Sequence, residues 1–248
     1  MSTLWRKNFF SSAAKDNTKV SAKLAFKTSQ TDWLNTESPV IVPISIHTIF
    51  HEGLLGELKM QAFISIIKSH VKGKITILMT EKAHLKAVSI RYNLDDEKAY
   101  QLCLKDAQDL ANRFKSCFED CEVTYWQTSI SNDPNYPMYR KRIMDLYTTD
   151  PTFQSLVCAD AESTYTSERA NEFPDKELFI QKTIEDLLEQ CICIVVSVNS
   201  GYRFQFYPGP NYASHDYMNK ILFLPDIQLN FIQVSLSVER KKIQSITV

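Results

Sequence analysis

The run Val40-Ile-Val-Pro-Ile-Ser-Ile46 is apolar and mostly β-branched, which is the composition of a strand buried on both faces of a parallel sheet. Past residue 53, Leu55, Leu58, Ala62 and Ile66 recur at helical spacing and make one core-facing stripe. Gly73 suits a left-handed helix cap, and Lys74-Ile-Thr-Ile-Leu-Met-Thr80 reads as a second parallel strand. Strand, helix and strand in this order form a βαβ unit of fixed handedness. In an open α/β sheet the carboxyl end of such a first strand is where ligands bind. Ser45, His47 and Thr48 stand at that end, so Ser45 is a candidate nucleophile.

The rest of the chain continues the alternation. A helix is expected from about 95 to 118, capped by Asn93-Leu-Asp-Asp, with Cys103, Ala107, Leu110, Phe114 and Cys117 facing inward. Glu122–Trp126 reads as a short strand, and Tyr139–Tyr147 as a helix after the turn-rich Ser131–Met138. A further helix opens at Thr149-Asp-Pro-Thr152, and Asp175–Gln190 has a helical pattern. Ile192–Val198 and Tyr202–Phe206 read as strands joined by a hairpin-type turn at Asn199-Ser-Gly201, and Gln228–Val238 as a last strand. No repeat or linker divides this pattern. It implies a single α/β, Rossmann-like domain over residues 37–248 with a mostly parallel sheet flanked by helices. Residues 1–36 carry six Lys/Arg against two Asp and read as a basic arm, partly ordered or accessory.

Several chemistries are poorly supported. The five glycines form neither GxGxxG nor a P-loop, so no backbone cradle for a pyrophosphate is expected. There is no GxSxG elbow. HExxH is missing, and six cysteines lack zinc spacing, so neither metal nor cofactor is expected. The cysteines read as reduced thiols of a cytoplasmic protein, and no apolar run approaches membrane-spanning length. A net charge of −1 means that any nucleic-acid contact must come from a local basic face. Candidates for phosphate contact are Lys105, Arg113 and Lys115 on one helix, and Arg140 and Lys141 on another.

Ile44-Ser45-Ile46-His47-Thr48, followed by Phe50-His51-Glu52-Gly53 opening a helix, resembles the strand-loop-helix of the tRNA-dependent cyclodipeptide synthases. Phe206-Tyr207-Pro208-Gly209 resembles the Tyr-Pro pair of that family's XYP subfamily. The likeness runs from about Val40 to Pro210, through short and partly degenerate motifs. It implies a fold like the catalytic domain of class I aminoacyl-tRNA synthetases without their ATP-binding motifs, acting as a monomer on aminoacyl-tRNAs. Two aminoacyl-tRNAs would be joined into a cyclic dipeptide (diketopiperazine) through an aminoacyl-serine.

By position, Ser45 matches the serine, and Tyr207 and Pro208 match the Tyr-Pro pair. Thr48, His51, Glu52 and Gly53 fall beside the substrate, and Tyr136 matches an aromatic near it. The chain departs from the family at Pro43, where glycine is usual; proline there narrows the first pocket. A second departure is the helix before the Tyr-Pro strand, where the family has a tyrosine followed four residues later by a glutamate. Two registers are open, Glu185 with Glu189 or Asp186 with Gln190, and neither supplies the tyrosine. Two alternatives follow from that gap: a tRNA-binding module without turnover, or an aminoacyltransferase that gives a linear product.

Overall fold

The computed structural model describes residues 18–25, 37–45, 53–83, 85–209 and 211–240. Among them six strands form one sheet: β1 (Thr18–Ala25), β2 (Val40–Ile44), β3 (Ile75–Met79), β4 (Glu122–Tyr125), β5 (Phe204–Tyr207) and β6 (Asn230–Arg240), in the order β1-β6-β5-β2-β3-β4. Only the β1–β6 pair is antiparallel, with Thr18 opposite Arg240 and Ala25 opposite Gln233. Part of the basic N-terminal stretch is therefore an edge strand of the sheet. Its other residues, 1–17 and 26–36, lie outside the described residues.

Both faces of the sheet are covered, which is why β2 and β3 are apolar throughout. Val40, Val42, Ile44, Ile75, Ile77 and Met79 pack under α1 (Gly53–His70) and α3 (Asp96–Arg113), with α2 (Leu85–Tyr92) between them in sequence. Ile41 and Leu78 point the other way, into a cluster with α4 (Tyr136–Thr149), α5 (Pro151–Ser163), α7 (Lys176–Asn199) and α8 (Ala213–Leu222). The short α6 (Ser167–Glu172) precedes α7. Each fully buried aliphatic side chain in these layers contributes about 1.5–3 kcal/mol relative to exposure. α3 starts on the N-cap Asp95, which accepts from the Lys98 N–H at 2.9 Å, and ends at Arg113, before the expected 118.

Three expectations are corrected. Ile192–Val198 is no strand: it is the second half of the 24-residue α7. Ile192, Ile194, Val195, Val196 and Val198 are buried together with Cys191 and Cys193, so apolar residues run round the whole helix and the period disappears. The hairpin at Asn199-Ser-Gly201 is the C-terminus of that helix. The Ser200 and Tyr202 N–H groups return to the Val196 and Ser197 carbonyls at 2.8 and 3.1 Å, and Gly201 takes φ +91°, a value side-chain-bearing residues resist. Gly73 is not a left-handed cap either. A Cβ there would collide with the backbone carbonyls of Glu37 and Ser38, which cross directly over it.

Candidate active site

β2 is the switch point of the sheet: the chain winds outward to β3 and β4 on one side and returns to β5 on the other. Adjacent crossovers diverge at such a point, leaving a crevice at the carboxyl ends of the strands. The sequence widens it. The Val40 N–H donates to the Lys74 carbonyl at 2.9 Å, and the Ile44 carbonyl accepts from the Thr80 N–H at 3.1 Å. Val40 and Ile44 thus bond toward β3, and the nitrogen of Pro43, an odd-numbered neighbour, faces β5. Pairing with β5 stops at Ile41, so the N–H that proline lacks has no ladder bond to make there.

Ser45 follows directly and is 5% exposed. It is held from the β3 side, where the Thr80 hydroxyl also donates to the Ile44 carbonyl at 3.2 Å. Ser45, Pro43 and Thr80 line a cleft of about 650 Å³, open to solvent, with Ala83, Trp126, Gln190, Cys193, Gln205 and Tyr207. Tyr207 is the last residue of β5, and burial pushes its phenol up to about 12, so it remains an O–H donor at neutral pH. Pro208 is half-buried behind it. Gly209 passes close to the ring: a Cβ there would lie 2.9 Å from Tyr207 Cε1.

α7 distributes its acids differently from one another. Glu189 accepts from the Tyr136 hydroxyl at 2.5 Å, and its other oxygen lies 3.8 Å from Arg140 Nε. Burial and this carboxylate raise the Tyr136 phenol, again fixing it as a donor. Gln190 is the next residue and lines the cleft. Glu185 is engaged with Lys182 at 2.8 Å. Asp186 is buried near the backbone of Lys86 on α2, and burial raises its carboxyl well above the usual carboxylate range. Of the two registers, Glu189 and Gln190 thus sit toward Tyr136 and the cleft, and Glu185 and Asp186 are held by other partners.

Thr48, His51 and Glu52 lie outside the described residues; Gly53 is the first residue of α1. The five basic candidates divide between the faces of the sheet. Lys105 and Lys115 are exposed on the α3 side, where Arg113 reaches Glu57 at 3.3 Å. Arg140 is beside Glu189 on the opposite layer, and Lys141 pairs with Asp145 at 2.6 Å.

Sequence reasoning missed the far wall of the cleft. Trp126, directly after β4, is fixed through its backbone: the N–H groups of Trp126 and Gln127 donate to Glu81 at 3.0 and 2.8 Å. They open a π-helical turn, Gln127–Ser131, a type of turn that recurs at functional sites. Tyr212 and His215 come from the start of α8 and meet edge to face at 5.2 Å.

No protein-family model matches the chain, and no curated protein matches it. Solved structures do. A CDPS, or cyclodipeptide synthase, from Fluoribacter dumoffii superposes with a TM-score of 0.79 at 22% identity, covering 90% of this chain and 100% of that one. The chain has the cyclodipeptide synthase fold. The synthase from Candidatus Glomeribacter gigasporarum, solved bound to Phe-tRNAPhe, matches at a TM-score of 0.64 and 17% identity over 86% of this chain and 93% of that one. A Mycobacterium tuberculosis protein, described as relating cyclodipeptide synthetases to type I tRNA synthetases, matches at 0.55 and 10% over 94% and 98%. This cyclodipeptide synthase fold agrees with the Rossmann-like architecture expected from the sequence.

Proposed function

We propose that the chain is a tRNA-dependent cyclodipeptide synthase of the Tyr-Pro type, with Ser45 as its nucleophile. The observation that carries this reading is the convergence of Ser45 and Tyr207, from the ends of β2 and β5, on one cleft at the switch point of a cyclodipeptide synthase fold.

The chemistry requires modest activation. An aminoacyl ester is already a reactive acyl donor, so positioning supplies much of the barrier reduction. Ser45 Oγ bonds to the ester carbonyl carbon, the C–O bond to the tRNA ribose breaks, and the serine proton leaves with that ribose oxygen. The Tyr207 O–H is a donor for the oxyanion of the tetrahedral intermediate. The amine of the aminoacyl-serine then attacks the ester carbonyl of a second aminoacyl-tRNA. The C–O bond to that tRNA's ribose breaks, the amine proton goes to the departing ribose oxygen, and a dipeptidyl ester is left on Ser45. Its terminal amine closes on the Ser45 ester carbonyl, releasing the cyclic dipeptide and restoring the serine hydroxyl. Glu189, oriented by Tyr136, is the group suited to hold these amines and to take up their protons. Arg140 and Lys141 on α4 lie on the same layer as Glu189 and suit contact with the tRNA backbone; Lys105, Arg113 and Lys115 would meet it from the α3 side.

One observation favours a second reading, an aminoacyltransferase with a linear product. Neither register of α7 supplies the family's tyrosine, and Glu185, which would take its place in one of them, is engaged by Lys182. Mass spectrometry of a purified reaction with charged tRNAs, wild type against Ser45→Ala, decides between them. A cyclic dipeptide made only by wild type supports the synthase. A linear dipeptide supports the second reading, and absence of both product and Ser45 adduct overturns the transferase.

A further inference from the structure

The chemistry above uses neither of two buried residues at the tip of β3. Thr80 and Glu81 follow Met79 directly and are 5% and 0% exposed. The Glu81 carboxylate accepts one N–H on each oxygen, from Trp126 at 3.0 Å and from Gln127 at 2.8 Å, and so holds the end of β4. Burial raises its carboxyl, and these N–H groups work against that rise. Shutting a carboxylate from water is costly unless its bonds are made, and here one N–H meets each oxygen. On the other side, the Thr80 N–H and hydroxyl both donate to the Ile44 carbonyl, at 3.1 and 3.2 Å. The N–H bond continues the ladder, and any residue but proline would make it. The hydroxyl adds a second bond to the same oxygen, one that a valine of similar shape would lack.

That oxygen belongs to the peptide joining Ile44 to Ser45. A peptide is planar, so fixing its carbonyl fixes the plane that contains the Ser45 Cα. The β5 side gives no ladder bond here: pairing with β5 stops at Ile41, and Pro43 has no N–H to give. On the β3 side the last register pair is Ile44 with Met79, one residue before the serine. The two Thr80 bonds are therefore the last that β3 gives to β2 before Ser45. From behind, the Thr80 carbonyl accepts the Ala83 N–H at 3.2 Å, which closes the turn after the strand.

Resting on the transferase reading, we propose that Thr80 and Glu81 are positioning residues for the nucleophile. Thr80 fixes the Ile44–Ser45 peptide that carries Ser45 Oγ, and Glu81 anchors Thr80 to the end of β4. Neither exchanges a proton in the reaction: Ser45 Oγ bonds to the ester carbon, the C–O bond to the ribose breaks, and the serine proton leaves with the ribose oxygen. Their effect is on the angle and distance of attack, where a misplacement of about 1 Å costs on the order of 10²-fold in rate.

The test mixes a pool of charged tRNAs with protein in excess and follows the Ser45 adduct by intact mass in a single turnover. Affinity for the same pool is measured on the Ser45→Ala background, and folding by denaturant midpoint. Thr80→Val should slow acylation by about 10- to 10²-fold with affinity changed less than about twofold. Thr80→Ser, which keeps the hydroxyl, should recover most of that rate. Glu81→Gln turns an N–H donor toward one of its two N–H partners and should slow acylation too. Combined with Thr80→Val it should add little, because it acts through Thr80. If Glu81→Gln does not fold, Glu81→Asp, which keeps the charge and shortens the reach, takes its place. Multiplying effects in the double variant would overturn the role of Glu81. A Thr80→Val protein that acylates at the wild-type rate, a Thr80→Ser protein as slow as Thr80→Val, or a loss confined to affinity overturns the role of Thr80 and leaves the transferase standing. No adduct on wild-type Ser45 overturns the transferase and this inference with it.

Discussion

On one face of the sheet α1 and α3 close against β2 and β3 with Met60, Phe63, Ile64, Ile67, Ala99, Cys103, Ala107 and Leu110, and neither helix buries a strongly polar side chain. On the other face α7 and α8 bury Asp186, Ser197, Ser214, His215 and Asn219, and the strands turn Thr76, Thr80 and Ser45 toward them. The same sheet thus carries a sealing layer and a working layer. An apolar interface needs only volume and shape, whereas each buried polar group needs a partner, and the second layer supplies one for Thr76, Thr80, Asp186 and Asn219. Asn219, for example, donates to the Leu229 carbonyl at 2.9 Å and accepts its N–H at 3.1 Å. The Ser197 and Ser214 hydroxyls, Trp126 Nε1 and His215 Nε2 are buried without a partner.

If the contrast holds, the largest effect on stability comes from the sealing layer. Phe63→Ala removes a fully buried ring from α1 and should cost about 3–5 kcal/mol by chemical denaturation. The aminoacyl preference of the protein that remains folded should be unchanged. A changed preference would mean that the sealing layer shapes the cleft.

In the working layer, Tyr207→Phe removes one hydroxyl and keeps the ring. The rate of cyclic dipeptide formation should fall by about 10²- to 10³-fold, as for loss of one oxyanion donor, with the denaturation midpoint nearly unmoved. A loss of stability without loss of rate would reassign Tyr207 to packing. Gly209→Ala tests the same ring from behind. The added methyl meets Tyr207 Cε1 at 2.9 Å and displaces it, so a rate loss of roughly tenfold is expected, smaller than that of Tyr207→Phe and absent in the double variant's increment.

The two layers also differ in how readable they were. β2, α1 and β3 announced themselves as elements because the sealing layer is written in apolar residues at the periods of strand and helix. The stripe expected on α1 is displaced, however: Met60, Phe63, Ile64 and Ile67 are buried, whereas Leu55, Leu58, Ala62 and Ile66 are only half-buried. α8 did not, for a physical reason: its buried positions Ser214, His215, Met218 and Asn219 form a proper helical stripe, but three of the four are polar. α7 failed in the opposite way, since its second half is buried all round and its β-branched residues imitate a strand. Ser45 was singled out by its place at a strand end, where ligands bind, and Tyr207 by the Tyr-Pro resemblance; both line the cleft. Trp126 and His215 reach the cleft only through tertiary placement, by the Glu81 clamp and by α8 docking, which no local pattern encodes.

The smallest predicted effect concerns Asp186, the buried acid of the working layer. Burial raises its carboxyl well above the ordinary 3.8, partly offset by the Lys86 charge and N–H. With the folded pKa above the unfolded one, the folded state binds the proton that the unfolded chain releases. Wild-type stability from this group is therefore greatest below the unfolded pKa and is lost as pH rises through the interval up to the folded value. Asp186→Asn, which can still accept the Lys86 N–H, has no proton to lose. Its stability relative to wild type should rise with pH over that interval and level off above it. His215 has the opposite sign: its folded pKa of about 4 lies below the unfolded 6.5, so its contribution is lost as pH falls between them. That loss is common to both proteins and cancels in the difference. Denaturant midpoints of the pair from about pH 4 to about pH 8 check this. A difference that does not grow with pH would mean that Asp186 is ionised in the folded protein, and the working layer would then hold a true buried charge facing Lys86.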